Sequence, residues 1–168
     1  MPSLIIISGG QSGVDRAALD VAIGLGVGYG GWCPRGGWAE DFPEPPGFLS
    51  LYPKLRETPS ADPAERTERN VRDADATLIL TDPRGIAASH GTILARALAE
   101  TYGKPMLVAD VEAPDATERV REWLAALLAA HRPATPFKLG IGGPRESEAP
   151  GIYRKARGLI AELLRATT

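Results

Sequence analysis

The chain has 168 residues, of which 43% are hydrophobic and 24% are charged, and its formal net charge is −2. This length fits one compact domain with a sizeable core, so we expect residues 1–168 to form a single domain. The composition excludes an intrinsically disordered chain, and the nearly balanced charge argues against a general nucleic-acid binder, which carries a marked basic excess.

The single cysteine and the first residues bear on the compartment. Cys33 has no second cysteine with which to form an internal disulfide, and no His at metal-ligand spacing, which favours a reducing environment and no structural metal. The first ten residues, MPSLIIISGG, lack a basic start and contain only four consecutive strongly apolar residues, so they predict neither a signal peptide nor a membrane span. We therefore expect a cytoplasmic protein without membrane contact.

Short apolar runs alternate with segments of helical periodicity along the chain. Residues 4–7, 77–80 and 106–109 are predicted strands buried on both faces, as in a parallel sheet, and 77–80 is the most convincing central strand. The weaker strand candidates are 28–33, which is glycine-rich, and 137–141. Apolar stripes at helical spacing occupy residues 14–25, 94–98, 120–128 and 152–163. The alternation predicts a Rossmann-like, doubly wound α/β fold, with a mainly parallel sheet of five strands and helices on both faces.

One segment departs from this alternation. Residues 34–63 contain seven prolines and little periodicity. Because connections of this length are uncommon in compact domains, we expect the segment to be functional or mobile.

The turn after the first predicted strand has the sequence SGGQSG, residues 8–13, and a helix is expected to begin near Val14. Such a turn lets the backbone approach a ligand closely, and the free amides of a helix N-terminus attract anions. It has neither the dinucleotide spacing nor the lysine of a Walker A loop, so it does not identify a cofactor class. The alternative is a tight turn that merely needs glycine, with Asp15 as a first-turn acid. The candidate binding residues here are Gly9, Gly10, Gln11, Ser12, Gly13 and Arg16.

A second turn of the same kind, residues 82–92, follows the strand at 77–80 and precedes a helix expected at Ile93. Two such turns at the carboxyl ends of parallel strands open on a common crevice. In the second turn, the hydroxyl groups of Ser89 and Thr92 could donate to an oxyanion, although helix capping accounts for them equally well. The candidate binding residues of this turn are Ser89, His90, Gly91 and Thr92.

Two further groups could reach the same ligand. Residues 65–73 are charge-rich, and Asn70 stands out on a helical side that could close over the crevice, although such a stretch is also typical of a solvated face. Trp32 could stack on a flat ligand, with Arg35 meeting its anionic group. Alternatively, Trp32 belongs to the core or an interface, and Cys33 is a buried small hydrophobe rather than a thiolate ligand.

These motifs resemble the molybdenum-cofactor carrier proteins, a circularly permuted branch of the SLOG superfamily of Rossmann-like domains. The resemblance covers nearly the whole chain and rests on residues 8–20, 30–34, 39–41, 55–58, 66–68, 70–73, 142–147 and 150–153. It implies a nucleotide-binding-like fold, a homo-oligomer, and a role in holding or storing molybdenum cofactor, a pterin with a phosphate and an oxyanion-like metal centre.

The chain departs from the resemblance after the strand at 77–80. Relatives usually carry Gly-Gly-Thr where this chain has His90-Gly91-Thr92, and superfamily members that cleave nucleoside monophosphates carry a glutamate where this chain has residues 93–95, Ile-Leu-Ala. We therefore expect a protein that binds a phosphate-containing cofactor or nucleotide rather than an enzyme. The alternatives are a nucleotide-sensing signalling domain and a nucleoside-monophosphate phosphoribohydrolase whose missing glutamate is replaced by Glu68, Asp73 or Asp82.

Overall fold

The computed structural model describes residues 2–132 and 134–167. The strands are β1 (Leu4–Ile7), β2 (Gly28–Gly30), β3 (Trp32–Cys33), β4 (Arg56–Glu57), β5 (Ala76–Thr81), β6 (Met106–Asp110) and β7 (Phe137–Gly142). The helices are α1 (Val14–Gly24), α2 (Pro63–Asp73), α3 (His90–Tyr102), α4 (Ala116–Ala130) and α5 (Ile152–Thr167). Five strands form one parallel sheet in the order β2-β1-β7-β5-β6, and β3 pairs with β4 in a separate two-stranded sheet. The predicted Rossmann-like α/β fold is confirmed.

Three features of the fold differ from the sequence prediction. The segment 28–33 is two strands, because Gly31 has a φ of 127° and any Cβ there would lie 2.4 Å from the Ser8 carbonyl oxygen. The centre of the sheet is β7, a weak candidate by sequence, and β5 lies beside it. Helix α3 begins at His90 rather than Ile93, so residues 90–92 form its first turn.

The two faces of the sheet are covered unequally. Helices α1, α4 and α5 pack on one face around a large apolar core that includes Ile6, Leu78 and Leu139. Helices α2 and α3 cover the other face, where the buried apolar cluster is only Val71, Ile79, Ala95 and Ala99. This thinner layer leaves room for a cavity between the sheet and α2 and α3.

The proline-rich segment forms a small core of its own. Phe48, in a short 3-10 helix (Gly47–Ser50), packs with Tyr52 and Leu55 against Leu19 of α1 and Cys33 of β3. These five side chains are buried. The segment therefore covers the first turns of α1 as a packed layer.

Candidate ligand-binding site

A cavity of about 350 Å³ lies at the carboxyl edge of the sheet and extends under α2 and α3. Its size is at the lower end of the usual range for small-molecule sites. Both glycine-containing turns contribute to it, as the shape of an open α/β sheet predicts. The predicted site residues that line it are Gly9, Gln11, Asn70, Ser89, His90, Gly91 and Thr92.

Three polar side-chain atoms in this cavity have no protein partner. Across residues 2–132 and 134–167, the buried side-chain nitrogen and oxygen atoms without a hydrogen bond are Gln11 Nε2, Thr77 Oγ1 and Thr92 Oγ1. All three residues line the cavity. Because buried polar groups in folded proteins are almost always bonded, three orphaned atoms around one space indicate a site for a polar ligand or ordered water.

The first turn of α3 presents further open donors to the cavity. Ser89 is the N-cap residue, but its side chain does not cap the helix. In the described part of the chain, no protein acceptor bonds the amide groups of His90, Gly91 or Thr92. A helix of 13 residues whose first amides are free, with a dipole directed at the cavity, is suited to an anion.

The first turn of α1 is arranged differently, because protein groups already occupy it. The amide of Val14 donates to the Pro144 carbonyl oxygen at 3.4 Å, and the Ser12 hydroxyl accepts from the amide of Glu146 at 3.2 Å. Gly13 has a φ of 80°, and a Cβ there would lie 2.3 Å from the same Pro144 oxygen. This turn is thus bonded to the segment after β7.

Gln11 has one end of its amide bonded and the other free. Its Oε1 accepts from the amides of Ser12 and Glu40, both at 2.9 Å, which fixes the side chain in place. Its Nε2 is buried without a partner, and the residue lines the cavity. The first turn therefore offers the ligand a side-chain donor in a fixed orientation.

Arg16 lies outside the cavity, in the layer formed by the proline-rich segment. Its guanidinium donates to the Gly10 carbonyl oxygen at 3.1 and 3.3 Å and to both carboxylate oxygens of Asp41 at 2.8 and 3.0 Å. Its charge also lies 5.6 Å from the centre of the Phe48 ring. Gly10 is buried against Phe48, so neither Gly10 nor Arg16 faces the ligand space.

A buried cation does reach the cavity, from α2. Arg66 is 8% exposed and donates to the Gly9 carbonyl oxygen at 3.0 Å. Burial lowers the pKa of Arg66, and the nearby Asp15 carboxylate opposes that change. A Cβ on Gly9 would lie 2.6 Å from Arg66 Cδ, so glycine at this position lets the arginine cross the turn.

Asp15 lines the cavity, as do the acids Asp62 and Glu148, and its role was not predicted from sequence. Burial raises the pKa of Asp15 to about 6, against the lowering effects of Arg66 and of hydrogen bonds from the backbone of Gln11 and Gly143. Its position just after a glycine turn is typical of a capping acid. Only the fold shows that Asp15 lies close enough to Arg66 to interact with its charge. Arg145 and Glu148, from the loop after β7, also contribute charge to the lining.

Of the three remaining predicted site residues, Asn70 lines the cavity, whereas Trp32 and Arg35 do not. Asn70 accepts from the Trp32 amide at 2.7 Å and donates to its carbonyl oxygen at 2.9 Å, which joins α2 to β3. The guanidinium groups of Arg56 and Arg69 lie over the Trp32 ring, 4.1 and 4.6 Å from its centre, so the ring already has two cationic partners. Arg35 is exposed and, like Trp32, does not line the cavity.

The remaining chemical candidates lie elsewhere. Cys33 is fully buried, and burial raises the pKa of its thiol to about 11, so it is a thiol at neutral pH. Glu68 accepts from the Tyr102 hydroxyl, Asp73 from the Trp32 indole, and Asp82 from Arg84. None of these three acids lines the cavity.

The comparison with protein families agrees with this architecture. Residues 6–164 match the model of the circularly permuted YpsA SLOG family. The chain belongs to this family. No curated protein matches it.

A solved structure supports the same assignment to the permuted YpsA SLOG family. It is the crystal structure of a protein from Syntrophus aciditrophicus SB that bears the provisional name molybdenum carrier protein. The two chains are 38% identical, the match covers 97% of this chain and 96% of the other, and the TM-score is 0.80. In the described part of this family member, no helix has the length and apolar character needed to cross a membrane.

Proposed function

We propose that this protein is a single-domain binding protein for a phosphate-containing cofactor or nucleotide, held in the cavity between the sheet and helices α2 and α3. The observation that carries the proposal is the set of unpartnered donors in one cavity, namely Gln11 Nε2, Thr92 Oγ1 and the free amides of α3. Buried donors such as Gln11 Nε2 and Thr92 Oγ1 bind an anion strongly, because little water competes for them, and the dipole of α3 adds to the attraction.

The charged side chains support the same placement. Arg66 and Arg145 line the same cavity as the first turn of α3 and supply positive charge to it. The anion would therefore lie between that helix end and Arg66. Gly9 and Gln11 would contact it from the other turn, and His90, which is exposed, would stand at the opening.

The name of the S. aciditrophicus protein supports molybdenum cofactor as the cargo. The residues present suit such a ligand, because the neutral donors of Gln11 and Thr92 and the cations Arg66 and Arg145 line the same cavity, beside the acids Asp15, Asp62 and Glu148. We propose further that the protein is cytoplasmic and works as a homo-oligomer. Native mass spectrometry of the protein from its own host would test the oligomeric state and identify the mass of the bound cargo.

Gly91 offers a sharp test of the anion site. A Cβ at this position would have only the Ser89 hydroxyl within contact distance, at 3.7 Å, so larger side chains are accommodated. Gly91→Asp places a negative charge at the α3 N-terminus, where it stabilises the helix but repels an anionic ligand. We expect the affinity for GMP and for molybdenum cofactor, measured by calorimetry and by cofactor retention on gel filtration, to fall at least tenfold.

Gly91→Asn is the matched control, because it has the same shape without the charge. It should keep the affinity within about threefold of the unmodified protein. Equal affinities of the Asp and Asn variants, or no binding of either ligand by the unmodified protein, would contradict the proposal.

A second candidate function is hydrolysis of nucleoside monophosphates, and the observation that favours it is Asp15. This acid lines the cavity and has a pKa raised to about 6, in the range of a general acid or base near neutral pH. Incubation with AMP and GMP should then release free base, and Asp15→Asn should stop the release. No free base after a long incubation rules this function out.

A further inference from the structure

The central strand has glycine at both positions that face the cavity. Leu139 and Ile141 of β7 are part of the large core on the opposite face. A Cβ on Gly140 would lie 3.2 Å from Thr77 Oγ1, and one on Gly142 would lie 3.3 Å from Asp15 Oδ1, so both positions face the side of the sheet that bears the cavity and have little room for a side chain. Glycine inside a buried strand weakens it and often marks a place where a ligand approaches closely.

These glycines form the floor of a trough whose far end carries an orphaned hydroxyl. Thr77 is paired with Gly140 in neighbouring strands and is only 5% exposed. Its Oγ1 has no hydrogen-bond partner, and the residue lines the cavity. A buried hydroxyl without a partner is costly, so it needs a group from a ligand or a water molecule.

The trough is deep, and part of its lining is apolar. Thr77 lies four residues before Thr81, which at about 3.3 Å per residue places it about 13 Å from the carboxyl end of β5. The apolar side chains that line the cavity include Val71, Ile79, Leu94 and Ala95. Since an apolar space of about 150 Å³ holds one benzene ring, a cavity of about 350 Å³ can hold a bicyclic ring together with a phosphate.

We infer that this trough holds a flat, uncharged nitrogen heterocycle, whose ring nitrogen or oxygen bonds the Thr77 hydroxyl while its phosphate lies at the first turn of α3. The inference rests on the proposed function, because the anion site fixes the other end of the ligand. A purine and a pterin share the required chemistry, which is a planar face for the glycine floor and a polar edge for Thr77.

The probes separate the ring from the phosphate. GMP carries both, ribose 5-phosphate carries only the anion, and 6-hydroxymethylpterin carries only a ring and reports its own binding by fluorescence. We expect GMP to bind at least tenfold more tightly than ribose 5-phosphate. Competition between GMP and the pterin would show that both rings use the same trough, and their relative affinities distinguish a purine site from a pterin site.

Thr77→Val removes the hydroxyl without changing the shape of the side chain. It should weaken GMP and the pterin about tenfold and leave ribose 5-phosphate unchanged, because one neutral hydrogen bond is lost. Thr77→Ser should restore most of the affinity. Thr81→Val is the matched control, since Thr81 is also a buried threonine of β5, its hydroxyl bonds the Ala109 carbonyl oxygen, and it does not line the cavity.

The outcomes distinguish the two proposals. The trough is overturned if GMP and ribose 5-phosphate bind with equal affinity, or if Thr77→Val leaves the ratio of their affinities unchanged. The anion site still stands in that case if Gly91→Asp weakens the binding of both ligands. Binding of none of the three probes overturns both proposals.

Discussion

The two glycine-containing turns look alike in sequence but differ in what their glycines do. In the first turn, Gly13 permits a close contact with the Pro144 carbonyl oxygen, and the amide of Val14 is bonded to that same oxygen. In the second, Gly91 touches almost nothing, and the amides around it are free. A glycine-rich turn before a helix can therefore serve internal packing or ligand access, and the partner of each amide distinguishes the two.

The largest expected effect separates these roles by stability. Gly13→Ala forces a Cβ into the Pro144 backbone at a positive φ, so we expect it to lower the free energy of unfolding by about 3 kcal/mol. Gly91→Ala lies on an open helical turn and should raise it by about 0.5 kcal/mol. Urea denaturation followed by circular dichroism measures both, and similar changes in the two variants would remove the distinction between the turns.

The next effect tests whether Arg16 is structural. Arg16→Met leaves the Gly10 carbonyl oxygen and Asp41 without their donor, and we expect a loss of about 2 kcal/mol with ligand affinity unchanged. Asp41→Asn is the milder control, with a loss of about 1 kcal/mol, because the Asp41 side chain is 44% exposed. A binding defect in Arg16→Met that exceeds its stability defect would return Arg16 to the ligand site.

Asp15 should make stability depend on pH. Its folded pKa, about 6, lies above the unfolded value near 3.8. Between these values the folded chain holds a proton that the unfolded chain has lost, so this contribution to stability falls as the pH rises from about 4 to about 6. We expect a fall of about 1 kcal/mol, reduced by solvent in the cavity.

Asp15→Asn is neutral at every pH and should lack this fall. Urea midpoints of the two proteins at pH 4 and pH 7 measure the difference. The acids whose pKa values are lowered by folding, such as Asp73 and Asp82, are common to both proteins, so their effects cancel in the comparison. Parallel pH profiles would mean that Asp15 is not desolvated in the folded protein.

The smallest effect combines stability with binding. Thr92→Val replaces an unpartnered buried hydroxyl with a methyl group, so we expect the free energy of unfolding to rise by up to about 0.5 kcal/mol while GMP affinity falls about tenfold. If the variant is instead less stable, the Thr92 hydroxyl has a structural partner and is not reserved for a ligand.

Much of the fold could be predicted from sequence, and the exceptions have physical causes. The strand at 4–7 and the helix beginning at Val14 follow from local patterns and were placed correctly. The central strand β7 was a weak prediction because Gly140 and Gly142, which leave the cavity open, lower its apolar content. A feature that serves a site thus weakened the signal for the strand that bears it.

The site was predictable only in outline. That the two turns meet at one crevice follows from parallel-strand topology, which local patterns indicate. Whether the donor on Gln11 or Thr77 is free depends on neighbours far along the chain, and so does the placement of Arg16 against Asp41. Such partners arise from the tertiary fold, which no local motif specifies.

The contact between Arg145 and Trp38 has an optical consequence. The guanidinium of Arg145, which lines the cavity, lies 5.3 Å from the centre of the Trp38 ring. Under the proposed function, an anion at the α3 N-terminus would attract Arg145 away from that ring and change the environment of its excited state. We therefore expect the emission of Trp38 to report binding, and Trp38→Phe gives the background emission of Trp32 and Trp123, which is subtracted from that of the unmodified protein.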